Sequence, residues 1–112
     1  MSREYRFFLQ DMLKACEKVG RFTKGFSVEQ FQADEKTFDA VMRGLEIIGE
    51  AAKHIPEDIR RQHPEVEWRK ISGFRDVAIH EYFGIDIEVV WDIISHRVPL
   101  LLGQIKAILA KE

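Results

Sequence analysis

The chain has 112 residues, of which 46% are hydrophobic and 32% are charged, with only three prolines. This composition is typical of one compact domain over residues 1–112, without room for a separate substrate domain. The formal net charge is −2, so the surface as a whole does not attract nucleic acid, and any such binding has to be local. The single cysteine, Cys16, excludes an intrachain disulfide and a cysteine-based zinc site. We expect a cytoplasmic protein, since the charged N-terminus and the short apolar runs indicate neither a secretory signal nor a membrane span.

The first predicted element is an amphipathic helix from Arg3 to about Lys24, where apolar residues recur at three- and four-residue spacing. Gly25 is a suitable stop for it. Directly after this stop, Ser27 and Gln30 resemble a capping box, which predicts the start of a short helical turn.

The best-patterned element is a second long helix that Asp34 can cap and whose apolar residues run from Phe38 to Ile55. Gly44 and Gly49 lie inside it, where each costs about 1 kcal/mol relative to alanine. We therefore expect close packing of another helix at these glycines as the compensation.

The second half of the chain predicts three further helices. A short one lies between Pro56 and Pro64, and another runs from about Glu67 to near Gly84. Asp86 caps a final helix, in which Pro99 predicts a kink or a break. No alternating strand pattern, phosphate-binding loop or repeat is present. The predicted fold is an all-α antiparallel bundle of about four main helices plus a short helix.

One segment combines polar and apolar residues in an unusual way: "GFRDVAIHEYFG", residues 73–84. Asp76 and His80 are four residues apart on a helix, so the carboxylate can hold the imidazole and raise its basicity. Arg75 can bind a phosphate through two parallel hydrogen bonds, and a histidine can transfer protons near neutral pH. Together these groups suit metal-free RNA cleavage, although an Asp–His pair at this spacing with a nearby arginine is more often a surface or interface network than a catalytic site.

The run "RDVAIHEY" matches the R-x-x-x-x-H-x-Y signature of the HepT-like toxins, a branch of the HEPN ribonuclease superfamily. The resemblance extends over residues 45–94 and more loosely to both ends. It implies a HEPN-like helical bundle that forms a homodimer and cuts RNA at the dimer cleft without a metal or other cofactor. The RNA substrate would be an mRNA or a tRNA. Arg75 would stabilise the phosphate, His80 would act as acid or base, and Asp76 would orient the site.

The resemblance also implies how the activity is controlled. Such proteins are toxins of type II toxin–antitoxin systems. Their partner is an antitoxin of the MNT type, a minimal nucleotidyltransferase that silences the toxin by adding AMP to a tyrosine. In this sequence that tyrosine is Tyr82.

Two rival interpretations stay open at this point. The chain could be a non-catalytic HEPN protein that binds nucleotide or its partner through the same motif. It could also be a helical dimerisation module in which Asp76 and His80 form only an ion pair. A metal site is a weaker alternative: Glu50 and Asp92 each precede a histidine, His54 and His96, by four residues, but this spacing is not that of di-iron bundles. We expect local ion pairs at both places.

Overall fold

The computed structural model describes residues 4–80 and 86–111, without the side chains of residues 79 and 80. The described residues form helices and contain no strand, so the predicted all-α class is confirmed. In chain order the elements are α1 (Glu4–Thr23), α2 (Val28–Ala33), α3 (Glu35–Lys53), α4 (Glu57–Gln62), α5 (Trp68–Ser72), α6 (Phe74–His80), α7 (Ile87–Asp92), a π-helical segment (Ile93–Arg97) and α8 (Val98–Lys111).

The ends of the helices follow the predicted local signals. Gly25 ends the first helical region with a φ of +80°, a left-handed conformation that favours glycine. The capping box at α2 is present: the Ser27 backbone N–H donates to the Gln30 side chain at 2.8 Å, and the Gln30 N–H donates to the Ser27 hydroxyl at 3.1 Å. The Asp34 carboxylate accepts from the Thr37 N–H at 3.1 Å and begins α3.

The core lies where α3 packs between α1 on one side and α5 and α6 on the other, and where α8 covers α1. α1 and α3 are antiparallel, because Phe8 stacks on His54 while Val19 lies against Gly44. The side chain of Cys16 is buried in this core, and burial raises the pKa of its thiol to about 12. It is therefore an inert packing residue rather than a nucleophile.

The prediction of one continuous helix from Glu67 to near Gly84 is wrong, because the described part of this segment forms two short helices, α5 and α6. Gly73 lies between them, and its N–H donates to both the Arg69 and Lys70 carbonyls, at 3.2 and 3.1 Å. A Cβ at Gly73 would lie 3.2 Å from the Lys70 oxygen, so the tight turn favours glycine. The predicted end near Gly84 lies outside the described residues.

Of the kink or break predicted at Pro99, the break is absent. The final helix is continuous from Ile87 to Lys111, and its irregularity is the π-helical segment that immediately precedes α8. The Val98 N–H donates to the Ile93 carbonyl, five residues earlier, so the wider turn reaches the position before the proline. A local change of helical pitch thus accommodates the missing N–H donor of Pro99.

On length and composition alone this final helix could cross a membrane, since its most apolar window has a mean hydropathy of 1.3. Core helices pass the same test. Here Val98, Leu101 and Ile105 are buried in the protein core, and the Arg97 guanidinium bonds to the Glu67 carboxylate at 2.6 Å. Part of the apolar surface of the helix is therefore used in packing within the protein, while Val89 and Leu100 are exposed.

Candidate active site

Arg75, one of the two predicted catalytic residues, is placed by close contact between the backbones of α3 and α6. Gly49 of α3 lies directly beside the second residue of α6, so that a Cβ built on Gly49 would be 2.5 Å from the Arg75 nitrogen. The same Cβ would be 3.0 Å from the Ser72 oxygen. The close packing predicted for the glycines of this helix is confirmed, and at Gly49 it fixes where the arginine leaves the backbone.

The Arg75 side chain reaches Glu50 on α3, with its Nε 3.1 Å from a carboxylate oxygen. Both side chains are partly exposed, at 39% and 52%, so the attraction is weakened by solvent. The other Glu50 oxygen lies 3.6 Å from Nε2 of His54. A guanidinium held by one exposed carboxylate can exchange it for the oxygens of a phosphate.

This arginine lies on the wall of an open cleft of about 320 Å³ between α1, α3 and α6. The Phe8 and His54 rings stack in the cleft, with their centroids 4.6 Å apart and their planes 14° apart. The charged side chains around the cleft are Asp11, Arg43, Glu46, Glu50 and Arg75. We call this depression the Arg75 cleft.

The remaining motif residues are described only in part. His80 is the last residue of α6, about 7.5 Å along the helix from Arg75, and its side chain lies outside the described residues. Asp76 is exposed on the same helix. Tyr82 lies outside the described residues. The structure therefore brings the backbones of Arg75, Asp76 and His80 onto one short helix, and the contact between Asp76 and His80 stays a prediction.

The two other carboxylate–histidine pairs form the expected local contacts. Besides Glu50 and His54, the Asp92 carboxylate lies 3.0 Å from Nδ1 of His96. Within residues 4–80 and 86–111, no three His, Cys, Asp or Glu side chains are grouped as a metal site.

Sequence reasoning missed the contact between Glu50 and Arg75. It paired Glu50 only with His54 because those two are one helical turn apart, whereas Arg75 is 25 residues further along the chain. Gly49 was the available signal. A glycine inside a helix lets a second backbone come close, and the residue next to the glycine, here Glu50, then lies near that second helix.

The helical bundle, with the arginine and the histidine of the sequence motif Arg-x-x-x-x-His-x-Tyr on its short sixth helix, defines a HEPN-like protein. The family model described as "Ribonuclease HepT-like" matches residues 12–108, and the chain belongs to that family. The resemblance identified from the motif is therefore confirmed.

Curated relatives agree over nearly the whole chain. A protein of Thermococcus cleftensis named "Probable ribonuclease HepT" is 44% identical, over 93% of this chain and 94% of its own. A "Putative RNase" of Caldanaerobacter subterraneus subsp. tengcongensis is 43% identical over 96% of both chains. Another from Methanocaldococcus jannaschii is 40% identical over 96% of this chain and 88% of its own. No solved structure matches the chain significantly.

Proposed function

We propose that this chain is a ribonuclease that cleaves RNA without a metal ion, with Arg75 and His80 as its catalytic residues. The observation that carries the proposal is the Arg75 guanidinium, which lines an open cleft and is held there by a partly exposed carboxylate. Membership of a family described as HepT-like ribonucleases supports RNA as the substrate.

The reaction needs three groups around one phosphate. The 2′-hydroxyl of the RNA attacks the adjacent phosphorus and gives its proton to a base. The bond to the 5′-oxygen breaks, and that oxygen takes a proton from an acid, which leaves a 2′,3′-cyclic phosphate and a 5′-hydroxyl. Arg75 stabilises the charge on the phosphoryl oxygens. His80 transfers a proton, with Asp76 orienting its imidazole.

The proposal includes a homodimer, because one chain offers one motif histidine whereas the reaction has two proton transfers. Two copies of α6 facing each other across a cleft would supply both the acid and the base. Mixing wild type with an excess of His80→Ala protein tests this arrangement. A mixed dimer keeps a single His80 and so lacks either the acid or the base, and we expect cleavage by the wild type to fall as the variant exchanges into its dimers. Wild-type cleavage that the excess variant leaves unchanged would contradict a shared site.

We further propose that the protein is the toxin of a toxin–antitoxin pair and that a nucleotidyltransferase of the MNT type silences it at Tyr82. In that step the phenolic oxygen attacks the α-phosphorus of ATP, its proton passes to a base, and pyrophosphate leaves. The attached AMP adds bulk and negative charge two residues from His80, where it competes with RNA for Arg75. If Tyr82→Phe is still silenced by the partner's transferase activity, this part of the proposal fails.

The catalytic residues are tested on a labelled single-stranded RNA with purified wild type, Arg75→Ala and His80→Ala. Both variants should lose cleavage by at least about 100-fold, in line with the loss of a general acid–base or an electrostatic group, while their circular dichroism is unchanged. Arg61→Ala is a matched control, because this exposed arginine pairs with Glu57 on its own helix, at 3.5 Å. RNA binding without cleavage by unmodified wild type would instead favour a non-catalytic binding protein.

A further inference from the structure

A second depression of about 530 Å³ lies between α1 and α3 and adjoins the Arg75 cleft. The two share Asp11, Arg43 and Ile47 in their walls, so one surface continues from Arg75 along the two helices as far as Phe22. We call this second depression the α1–α3 groove. From Asp11 to Phe22 it follows α1 for about 16 Å, which is long enough for a few nucleotides of a single strand.

The floor of the groove is made of small residues because α1 and α3 approach each other closely there. A Cβ on Gly44 would lie 2.6 Å from the Val19 side chain, and Ala15 and Ala40 also line the surface. The groove is therefore apolar and open along its length, with its charged side chains at the edges.

These edges carry more positive than negative charge, although the whole chain is acidic. Lys14 and Lys18 lie on the α1 side, about 6 Å apart along the helix, and Arg43 lies on the α3 side. Asp11 is the only acidic residue in the wall of the groove. Both lysines are exposed, and neither has an ion-pair partner in the described ranges. They are therefore available to a polyanion.

An aromatic ring stands at the far end of the groove. The Phe22 side chain is 37% exposed, and the Arg21 guanidinium lies 5.6 Å from its ring centroid. Proteins that bind single-stranded nucleic acid combine a cationic track for the backbone with aromatic rings on which bases stack. Here both are on one continuous surface that leads to Arg75.

We propose that the α1–α3 groove binds the single-stranded RNA segment next to the cleaved phosphate, with Lys14 and Lys18 on the backbone and Phe22 against a base. This inference rests on the proposed function, and it adds a substrate-binding surface to it. The positive charge of the edges favours RNA as the ligand over an apolar peptide helix. An apolar helix in the groove would lie beside the exposed lysines without satisfying their charge.

The test measures binding separately from cleavage. All proteins carry His80→Ala, and a fluorescein-labelled single-stranded RNA of twelve nucleotides is titrated by anisotropy at several salt concentrations. Lys14→Ala/Lys18→Ala should weaken binding by about tenfold at low salt and lower the slope of log K against log salt by about 1.4, because two phosphate contacts are lost. Phe22→Ala should weaken binding by at least about fivefold with an unchanged slope.

The matched control is Lys106→Ala/Lys111→Ala, which removes the same charge from exposed positions of α8 outside the groove. If the groove and control variants bind with equal affinity and slope, the groove proposal is wrong. It is also wrong if Lys14→Ala/Lys18→Ala changes the elution volume in size-exclusion chromatography, because the groove is then an interface between copies. Wild type that binds RNA through these lysines but never cuts it would overturn the proposed catalysis and leave the groove standing.

Discussion

Gly49→Ala should damage both the stability and the activity of the protein, although it adds one methyl group outside the motif. The new Cβ would lie 2.5 Å from the Arg75 nitrogen, 2.9 Å from the Arg75 Cβ and 3.0 Å from the Ser72 oxygen. None of these atoms can rotate away, so α5 and α6 have to move from α3. Such overpacking costs up to about 3 kcal/mol. Alanine returns about 1 kcal/mol of helix propensity, which leaves a net loss of up to about 2 kcal/mol.

This loss corresponds to a fall in melting temperature of up to about 8 °C for a domain of this size, measured by thermal circular dichroism. The shift of α6 should also lengthen the 3.1 Å contact between Arg75 and Glu50 and displace the guanidinium from the scissile phosphate. We expect RNA cleavage to fall by at least about tenfold at a temperature where the variant is folded, because misplacement by about 1 Å is costly in catalysis.

Gly20→Ala is the matched control, since a Cβ at Gly20 on α1 would meet nothing within 4 Å. This variant should gain up to about 1 kcal/mol from helix propensity and keep its cleavage rate. If Gly49→Ala behaves like Gly20→Ala in both assays, the close approach of α3 and α6 does not position Arg75, and our account of the site is wrong.

Three further predictions concern separate features. Asp34→Ala should lower the free energy of unfolding in urea by about 1 kcal/mol, because α3 loses its N-cap, and an unchanged midpoint would contradict the cap. Glu50→Gln, in a His80→Ala background, should raise RNA affinity by up to about fivefold, because it removes the carboxylate charge that competes with RNA for Arg75. Glu57→Gln in the same background is the control. Weaker RNA binding by the Glu50→Gln variant would refute this competition. Cys16 should react with iodoacetamide at pH 8 only in denaturant. Burial raises the pKa of the Cys16 thiol from 9.0 to about 12, so between these pH values unfolding releases the thiol proton and the free energy of unfolding should fall as the pH rises. A free energy of unfolding that does not change with pH in this range would contradict burial of the thiol.

The elements whose signals are local could be predicted from the sequence. The Ser27 capping box, the Asp34 cap and the Gly25 stop each depend on residues within a few positions, and all three are present. The single helix predicted across Gly73 was wrong, and the break predicted as one of two outcomes at Pro99 is absent, for a shared reason. Whether a helix breaks, widens or turns at such a residue depends on the packing around it, and single-sequence periodicity does not contain that packing.

The residues of the candidate site were selected from one short motif. The structure places the backbones of Arg75, Asp76 and His80 on α6, and their roles stay predictions. The Glu50 contact and the stacking of Phe8 on His54 were not predicted, because each joins residues that are distant in sequence. Gly49 shows how the Glu50 contact could be anticipated, since a helical glycine marks where a second helix can come close enough to share a site.

The central claim is that Arg75 and His80 cut RNA without a metal. The measurement that tests it most directly is incubation of purified wild type with total RNA in EDTA, beside His80→Ala at matched folding, followed by analysis of the fragment ends. Mass spectrometry first confirms that Tyr82 carries no AMP. The account predicts cleavage by wild type alone, with 2′,3′-cyclic phosphate and 5′-hydroxyl ends. Cleavage that needs a divalent cation, that leaves 5′-phosphates or that persists in His80→Ala would contradict it.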